Sequence, residues 1–297
     1  MKRTAEAVFL AIALACATFP VAAAPEAPKS PAKAQTVDPW AALKIRKETV
    51  ATLPGVDSGA LVGIRTCAKT AILVYRDGRE SRTDLLTGKT TPATPLETAG
   101  KTVLDFALSG DKVVALLSDG TLIGAKPADW PAGPFAAVRI DIANGEGFLS
   151  GGKSSFYLAP RATDSVVIPG NYLSMPLRDG FLWSMTRPGL RAWEATLIDG
   201  FGNQMKKIFK FSAEFDPTGI SFGPTGPEGE LLVSYYVGAS REVALIGQNG
   251  RMLWKLPVSA PVCPRDLAWD AGGALLVLER DGNGLVLNRI AFEVPQG

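Results

Sequence analysis

The sequence predicts an all-β fold, a β-propeller of six blades, and three observations predict it. Short runs rich in β-branched and aromatic residues recur from about residue 41 onward, with no 3.6-residue apolar period among them. Asp-Gly or Asn-Gly pairs at 77–78, 119–120, 199–200, 249–250 and 281–282 separate these runs. Both residue types accept positive φ, so such pairs between apolar runs mark hairpins. Six runs, at 71–75, 112–118, 154–159, 180–186, 230–237 and 274–280, read as the same strand of a repeated unit. They recur about every 40 residues, the period of a four-stranded blade. One interval is short and the next is long, so five or seven blades stay open.

Residues 1–23 read as a secretory signal peptide. Lys2 and Arg3 precede an apolar run at 8–15, and Val21-Ala22-Ala23-Ala24 supplies a small-residue cleavage site. The expected cut follows Ala23, with Ala24 as the alternative, and the expected location is periplasmic or secreted. A second reading uses Ala13-Leu14-Ala15-Cys16, which resembles a bacterial lipoprotein box with Cys16 lipidated. The Leu stands one place out of position, and the chain stays apolar as far as Ala24, so the signal reading is favoured. No later apolar stretch is long enough to span a membrane. Residues 24–40 are rich in Pro and Ala and read as an extended linker. The propeller domain is then 41–297.

Within that domain three units begin with Asp, a large apolar residue and Ala: Asp105-Phe106-Ala107, Asp141-Ile142-Ala143 and Asp266-Leu267-Ala268. Alternation along a strand puts the large and small side chains on opposite faces, which lets neighbouring blades approach. The last unit reads as strands at 266–270, 274–280 and 285–294, which leaves it one strand short. At the other end, 43–53 carries Ile45, Thr49, Val50 and Thr52 among charges suited to a sheet edge. This N-terminal strand is expected to complete the last blade as its fourth strand, covering an edge that an open ring would leave unpaired and joining the termini, in a protein expected to be a monomer.

Composition excludes several function classes. Lys+Arg number 31 against 29 Asp+Glu, so the chain has no basic surplus for nucleic acid. Histidine is absent, which removes histidine acid–base chemistry, Ser-His-Asp triads and His-ligated metals. Gly147 to Ser154 formally matches a phosphate-binding G-x-x-x-x-G-K-S loop, but a strand stopped by Pro160 follows where a helix is required. Ser150-Gly151-Gly152-Lys153 matches the S-x-x-K of penicillin-recognising enzymes, yet Gly-Gly opposes the helix that motif needs, and its later partner elements do not occur. Both stretches read as turns. Cys67 and Cys263 fall at different heights of their blades and are expected to be unbonded, since a disulfide needs Cα atoms within ~7 Å.

The stretch Pro264-Arg265-Asp266-Leu267-Ala268-Trp269-Asp270-Ala271-Gly272-Gly273-Ala274-Leu275-Leu276-Val277 resembles a repeat of the NHL type, and Pro217-Thr218-Gly219-Ile220-Ser221-Phe222 with Gly229-Glu230-Leu231-Leu232-Val233 resembles it again with an insertion. The resemblance implies a six-bladed propeller. Gly250-Arg251-Met252-Leu253-Trp254 is also similar to the G-x-x-x-W of quinoprotein-like propellers, usually eight-bladed.

The candidate ligand-binding residues are Asp105, Asp141, Arg265 and Asp266. In a propeller the starts of the inner strands ring one mouth of the channel, where these carboxylates could hold Ca²⁺, an oxygen-preferring ion. The competing reading, that each Asp accepts N–H bonds within its own turn, is favoured because a repeated residue usually serves the repeat. The expectation is therefore no catalytic residue, no metal and no cofactor. The six Trp read as inter-blade packing. The expected function is that of an exported, non-catalytic binding or scaffold propeller of the cell envelope, its partner a protein, small molecule or carbohydrate. The alternative is a Ca²⁺-dependent lactonase or esterase-like hydrolase resembling the six-bladed gluconolactonase group. That group uses a Glu near its first blade, where this chain has Val56-Asp57-Ser58. A two-carboxylate glycosidase or lyase is the third class.

Overall fold

The computed structural model describes residues 44–131, 133–143, 145–151, 153–158, 231–237, 240–247 and 251–293, together with the backbone of six strands between 166 and 222, all within the unit Asp38–Gly297. The signal at 1–23, Cys16, the linker at 24–40, Asn249-Gly250 and the side chains of Trp40, Trp183 and Trp193 lie outside the described residues.

The described residues contain no helix, and their strands form six antiparallel sheets. The first strand, β1 (Lys44–Leu53), belongs to the last sheet. Sheet one holds β2 (Leu61–Cys67), β3 (Thr70–Tyr75), β4 (Glu80–Asp84) and β5 (Thr90–Pro92). Sheet two holds β6 (Val103–Ser109), β7 (Lys112–Leu117) and β8 (Leu122–Gly124). Sheet three holds β9 (Arg139–Ala143), β10 (Glu146–Ser150), β11 (Ser154–Leu158) and β12 (Val166–Pro169). Sheet four holds β13 (Leu173–Pro176), β14 (Phe181–Gly189), β15 (Ala192–Asp199) and β16 (Gln204–Ser212). Sheet five holds β17 (Asp216–Phe222), β18 (Leu231–Val237), β19 (Ser240–Ile246) and β20 (Met252–Val258). Sheet six holds β21 (Leu267–Trp269), β22 (Leu275–Asp281), β23 (Gly284–Glu293) and β1. Apart from β1, each strand pairs with its neighbours in sequence, and short turns suffice to join them. Asp-Gly supplies several of these turns: Gly78, Gly120 and Gly282 have positive φ, and Asp77 and Asp119 accept N–H bonds from Arg79 and Thr121 two residues on.

The middle strands of sheets one, two and six are apolar on both faces because a neighbouring sheet covers each side. In β3, Ala71 and Leu73 pack toward sheet six, whereas Ile72 and Val74 pack toward sheet two. In β7, Val113, Ala115 and Leu117 meet sheet one, and Val114 and Leu116 meet sheet three. In β22, Leu276 and Leu278 meet sheet one, and Leu275 and Val277 meet sheet five. Sheets five, six, one, two and three thus stack face to face in that order. Ile72, Leu73, Leu116 and Leu276 have no exposed surface, and each such side chain contributes roughly 1.5–3 kcal/mol by burial. The first strands follow the same order: β2 lies beside β21 and β6, β9 beside β6 and β13, and β13 beside β17.

β1 pairs antiparallel with β23 along its whole length, from Lys44 opposite Glu293 to Leu53 opposite Leu285, with an irregularity at Val50. Ala51 and Leu53 enter the core, and the outer residues 44–47 stay exposed. Side chains reinforce the pairing: Lys47 to Glu279 at 2.5 Å, Arg289 to Glu48 at 3.5 Å and the Thr49 hydroxyl to Asn288 at 2.9 Å. The chain start expected to complete the last sheet does complete it.

The strand register departs from the sequence reading in one sheet. Five of the six runs read as equivalent are second strands of their sheets, but 154–159 coincides with β11, a third strand. The second strand is β10, Glu146-Gly147-Phe148-Leu149-Ser150, which overlaps the stretch 147–154 read as a turn. It lacks β-branched residues, and its glycine is there for space: a Cβ on Gly147 would stand 2.4 Å from the Trp130 ring. This one-strand slip produced the short interval before 180, whereas the long interval that follows it does not involve the slipped run. The stretch after Gly147 is a β10–β11 hairpin, without the helix that a phosphate loop needs.

Candidate functional site

The site begins with a contact between sheets six and one. Gly63 on β2 and Arg265, just before β21, form an isolated parallel bridge. The Ile64 N–H donates to the Arg265 carbonyl at 2.7 Å, and the Arg265 N–H donates to the Val62 carbonyl at 3.2 Å. The Thr66 hydroxyl donates to the Trp269 carbonyl farther along the same seam. A side chain at 63 would collide with Arg265, so glycine is what lets the backbones meet.

Fixed in this way, Arg265 reaches two other sheets. Its guanidinium donates to both Asp105 carboxylate oxygens at 2.7–3.2 Å and to Asp141 at 3.3 Å. Asp105 is buried on β6 and also accepts the Ile140 N–H of β9 at 2.9 Å, so it links sheet two to sheet three. Arg65 on β2 donates to Asp141 at 3.4 Å and to the Ile64 carbonyl at 3.3 Å, and it lies over the Phe106 ring at 5.5 Å. Arg139 stands two residues before Asp141 on β9, on the same face by alternation.

Residues of sheets six, one, two and three therefore meet in one cluster with three arginines and two aspartates. Burial raises the Asp141 pKa, only partly offset by Arg265 and Arg65. Burial acts against the charge on Arg265, but Asp105 and Asp141 outweigh it and raise its pKa. Arg65 and Arg139 are both lowered, first by burial and then by repulsion from Arg265. Both carboxylates are engaged by guanidiniums, which makes them poor nucleophiles and poor free metal ligands. Among the described residues no three Asp, Glu or Cys side chains group as a metal site.

Of the four residues expected to share a site, the structure brings together Asp105, Asp141 and Arg265. Asp266 turns the other way, because successive residues of an extended chain point to opposite sides. It forms a two-pronged ion pair with Arg241 of β19 at 2.6 and 2.8 Å and accepts the Val262 N–H at 3.3 Å, with both charged side chains almost fully buried. The Asp residues do not chiefly serve their own turns either: Asp105 and Asp141 bind groups from other sheets. Sequence reasoning missed Arg65 and Arg139, which belong to no repeated triplet. The spacing of Arg139 and Asp141 was the available signal.

Trp130 and Trp254 are buried between sheets, and Trp254 stacks on Phe292 at 4.5 Å, with Trp269 at 5.9 Å from the same ring. They act as packing. Cys67 and Cys263 are both free. Comparison with known proteins finds no family model and no curated protein that matches this chain.

Proposed function

We propose that the chain is an exported six-bladed β-propeller of NHL-like design that works as a non-catalytic binding module of the cell envelope. The blade reading is supported by the order of the first strands, β21, β2, β6, β9, β13 and β17, each beside the next, and by the packing of sheets five, six, one, two and three on one another. The observation that carries the function is the charge cluster at Arg65, Asp105, Arg139, Asp141 and Arg265. Groups from four sheets converge there, as they would at the mouth of a propeller channel. Every carboxylate in it is matched by arginine, an arrangement suited to holding a ligand and opposed to Ca²⁺, which would have to displace guanidiniums and approach a net positive charge.

The test is turnover of γ-lactones and p-nitrophenyl acetate with and without Ca²⁺. The expected rate is that of buffer alone under both conditions. A Ca²⁺-dependent rate that vanishes in Asp141→Ala would assign the chain to the lactonase-like alternative. Export is tested by the mass of the mature protein, which should begin at Ala24. An intact Met1 or a lipidated Cys16 would overturn that cleavage.

A further inference from the structure

We propose that the cluster takes a small carboxylate-bearing ligand, with Arg139 as its principal contact. The proposal rests on the reading of this cluster as the binding mouth and names what the mouth accepts. Among the described residues three guanidiniums face two carboxylates, so one positive charge has no counterpart among them. Arg265 carries most of the internal pairing, with Asp105 and Asp141 both on its fork. Arg65 makes one long bond to Asp141 and another to the Ile64 carbonyl. Among the described residues the Arg139 side chain has no ion pair or hydrogen bond, although it is half-buried and lies close enough to Arg265, Asp105 and Asp141 to feel their charges.

A guanidinium withdrawn from water without a partner is unfavourable, and a planar carboxylate satisfies it through two parallel N–H bonds. The charge count selects a monoanion. A single negative charge neutralises the cluster, whereas a dianionic phosphate would meet repulsion from Asp105 and Asp141. A cation is disfavoured for the same reason that Ca²⁺ is. The ligand stays outside the Asp105–Arg265 pair, which is already complete, and docks on the Arg139 side.

The experiment titrates the full chain with sodium formate, acetate and benzoate at constant ionic strength, with sodium phosphate as the competing anion, and reads melting temperature and calorimetric heat. At least one carboxylate should raise the melting temperature saturably, as any ligand of the native state does. In Arg139→Gln the affinity should fall at least tenfold, and in Arg139→Lys, which keeps the charge but loses the fork, by less. If Arg139→Gln does not fold, Arg139→Lys supplies the comparison, with an affinity below that of the parent as the expected result. No saturable response to any of the three carboxylates, or an unchanged response in the Arg139 variants, overturns the proposal. Arg139-dependent binding of phosphate alone overturns the ligand class. Silent carboxylates without lactone turnover would remove only this ligand, whereas Ca²⁺-dependent turnover would remove the binding-module reading itself.

Discussion

Gly63 lies so close to Arg265 that a Cβ at position 63 would stand 2.3 Å from the Arg265 Cβ and 2.5 Å from its carbonyl oxygen. The contact joins sheet one to sheet six and aims the Arg265 guanidinium at Asp105. Gly63→Ala should force the two backbones apart and cost roughly 1–3 kcal/mol, the range of overpacking in a close-packed interior. Chemical denaturation measures it, and an unchanged midpoint would show that the seam yields without loss.

Arg241 and Asp266 form a pair buried from water on both sides. Removing one partner leaves the other charge without compensation, so Arg241→Met or Asp266→Leu alone should cost about 3–5 kcal/mol. The double variant should recover much of that, because an apolar pair of similar volume needs no desolvation of charge. A double-mutant cycle by urea unfolding decides it; additive losses would mean that the pair is not coupled.

Leu53 ends β1 and is 4% exposed against Leu285 and Leu287. Leu53→Ala should destabilise by about 2–5 kcal/mol as a core truncation. Deleting 44–53 should cost more, because it also removes the ladder to β23 and the Lys47–Glu279 and Glu48–Arg289 contacts. Thermal melting checks both. A deletion that melts like the parent would mean that β1 adds nothing to the last sheet.

The two cysteines of the domain should react differently. Burial, reinforced by Asp266, pushes the Cys263 thiol up to about 12, so at pH 8 it holds almost no thiolate. Cys67 is partly exposed at the end of β2. In protein beginning at Ala24, a thiol reagent at pH 8 should modify one residue quickly, Cys67 by peptide mapping, and the second only after unfolding. Rapid loss of both thiols in the folded protein would contradict the burial of Cys263.

Much of the strand order was legible because hairpin turns announce themselves locally. Asp-Gly at 77–78, 119–120 and 281–282 needs only its own backbone to be recognised, and the paired runs on either side follow. β10 was not legible. Its Gly147 makes room for the Trp130 ring, which comes from the connection between β8 and β9, a contact that no local pattern records. The site divides in the same way. Asp105, Asp141 and Arg265 were found through a repeated triplet and its neighbour. The separation of Asp266 from them follows from alternation, and Arg65 and Arg139 act only through the assembled cluster.

The pairing of β1 with β23 has a consequence for the order of events during synthesis. Glu48 and Arg289 stand 241 residues apart in the chain, so among the described strand pairings this ladder is the most non-local and closes at the highest entropic cost. On the ribosome β1 emerges before the other described strands and waits until its partner, far later in the chain, is free. A lone apolar strand would pair with other nascent chains in that interval. Lys44, Arg46, Lys47 and Glu48 line the stretch that waits longest. Their charge repels the wrong partner before the right one exists, and two of them then become ion-pair partners in the finished sheet.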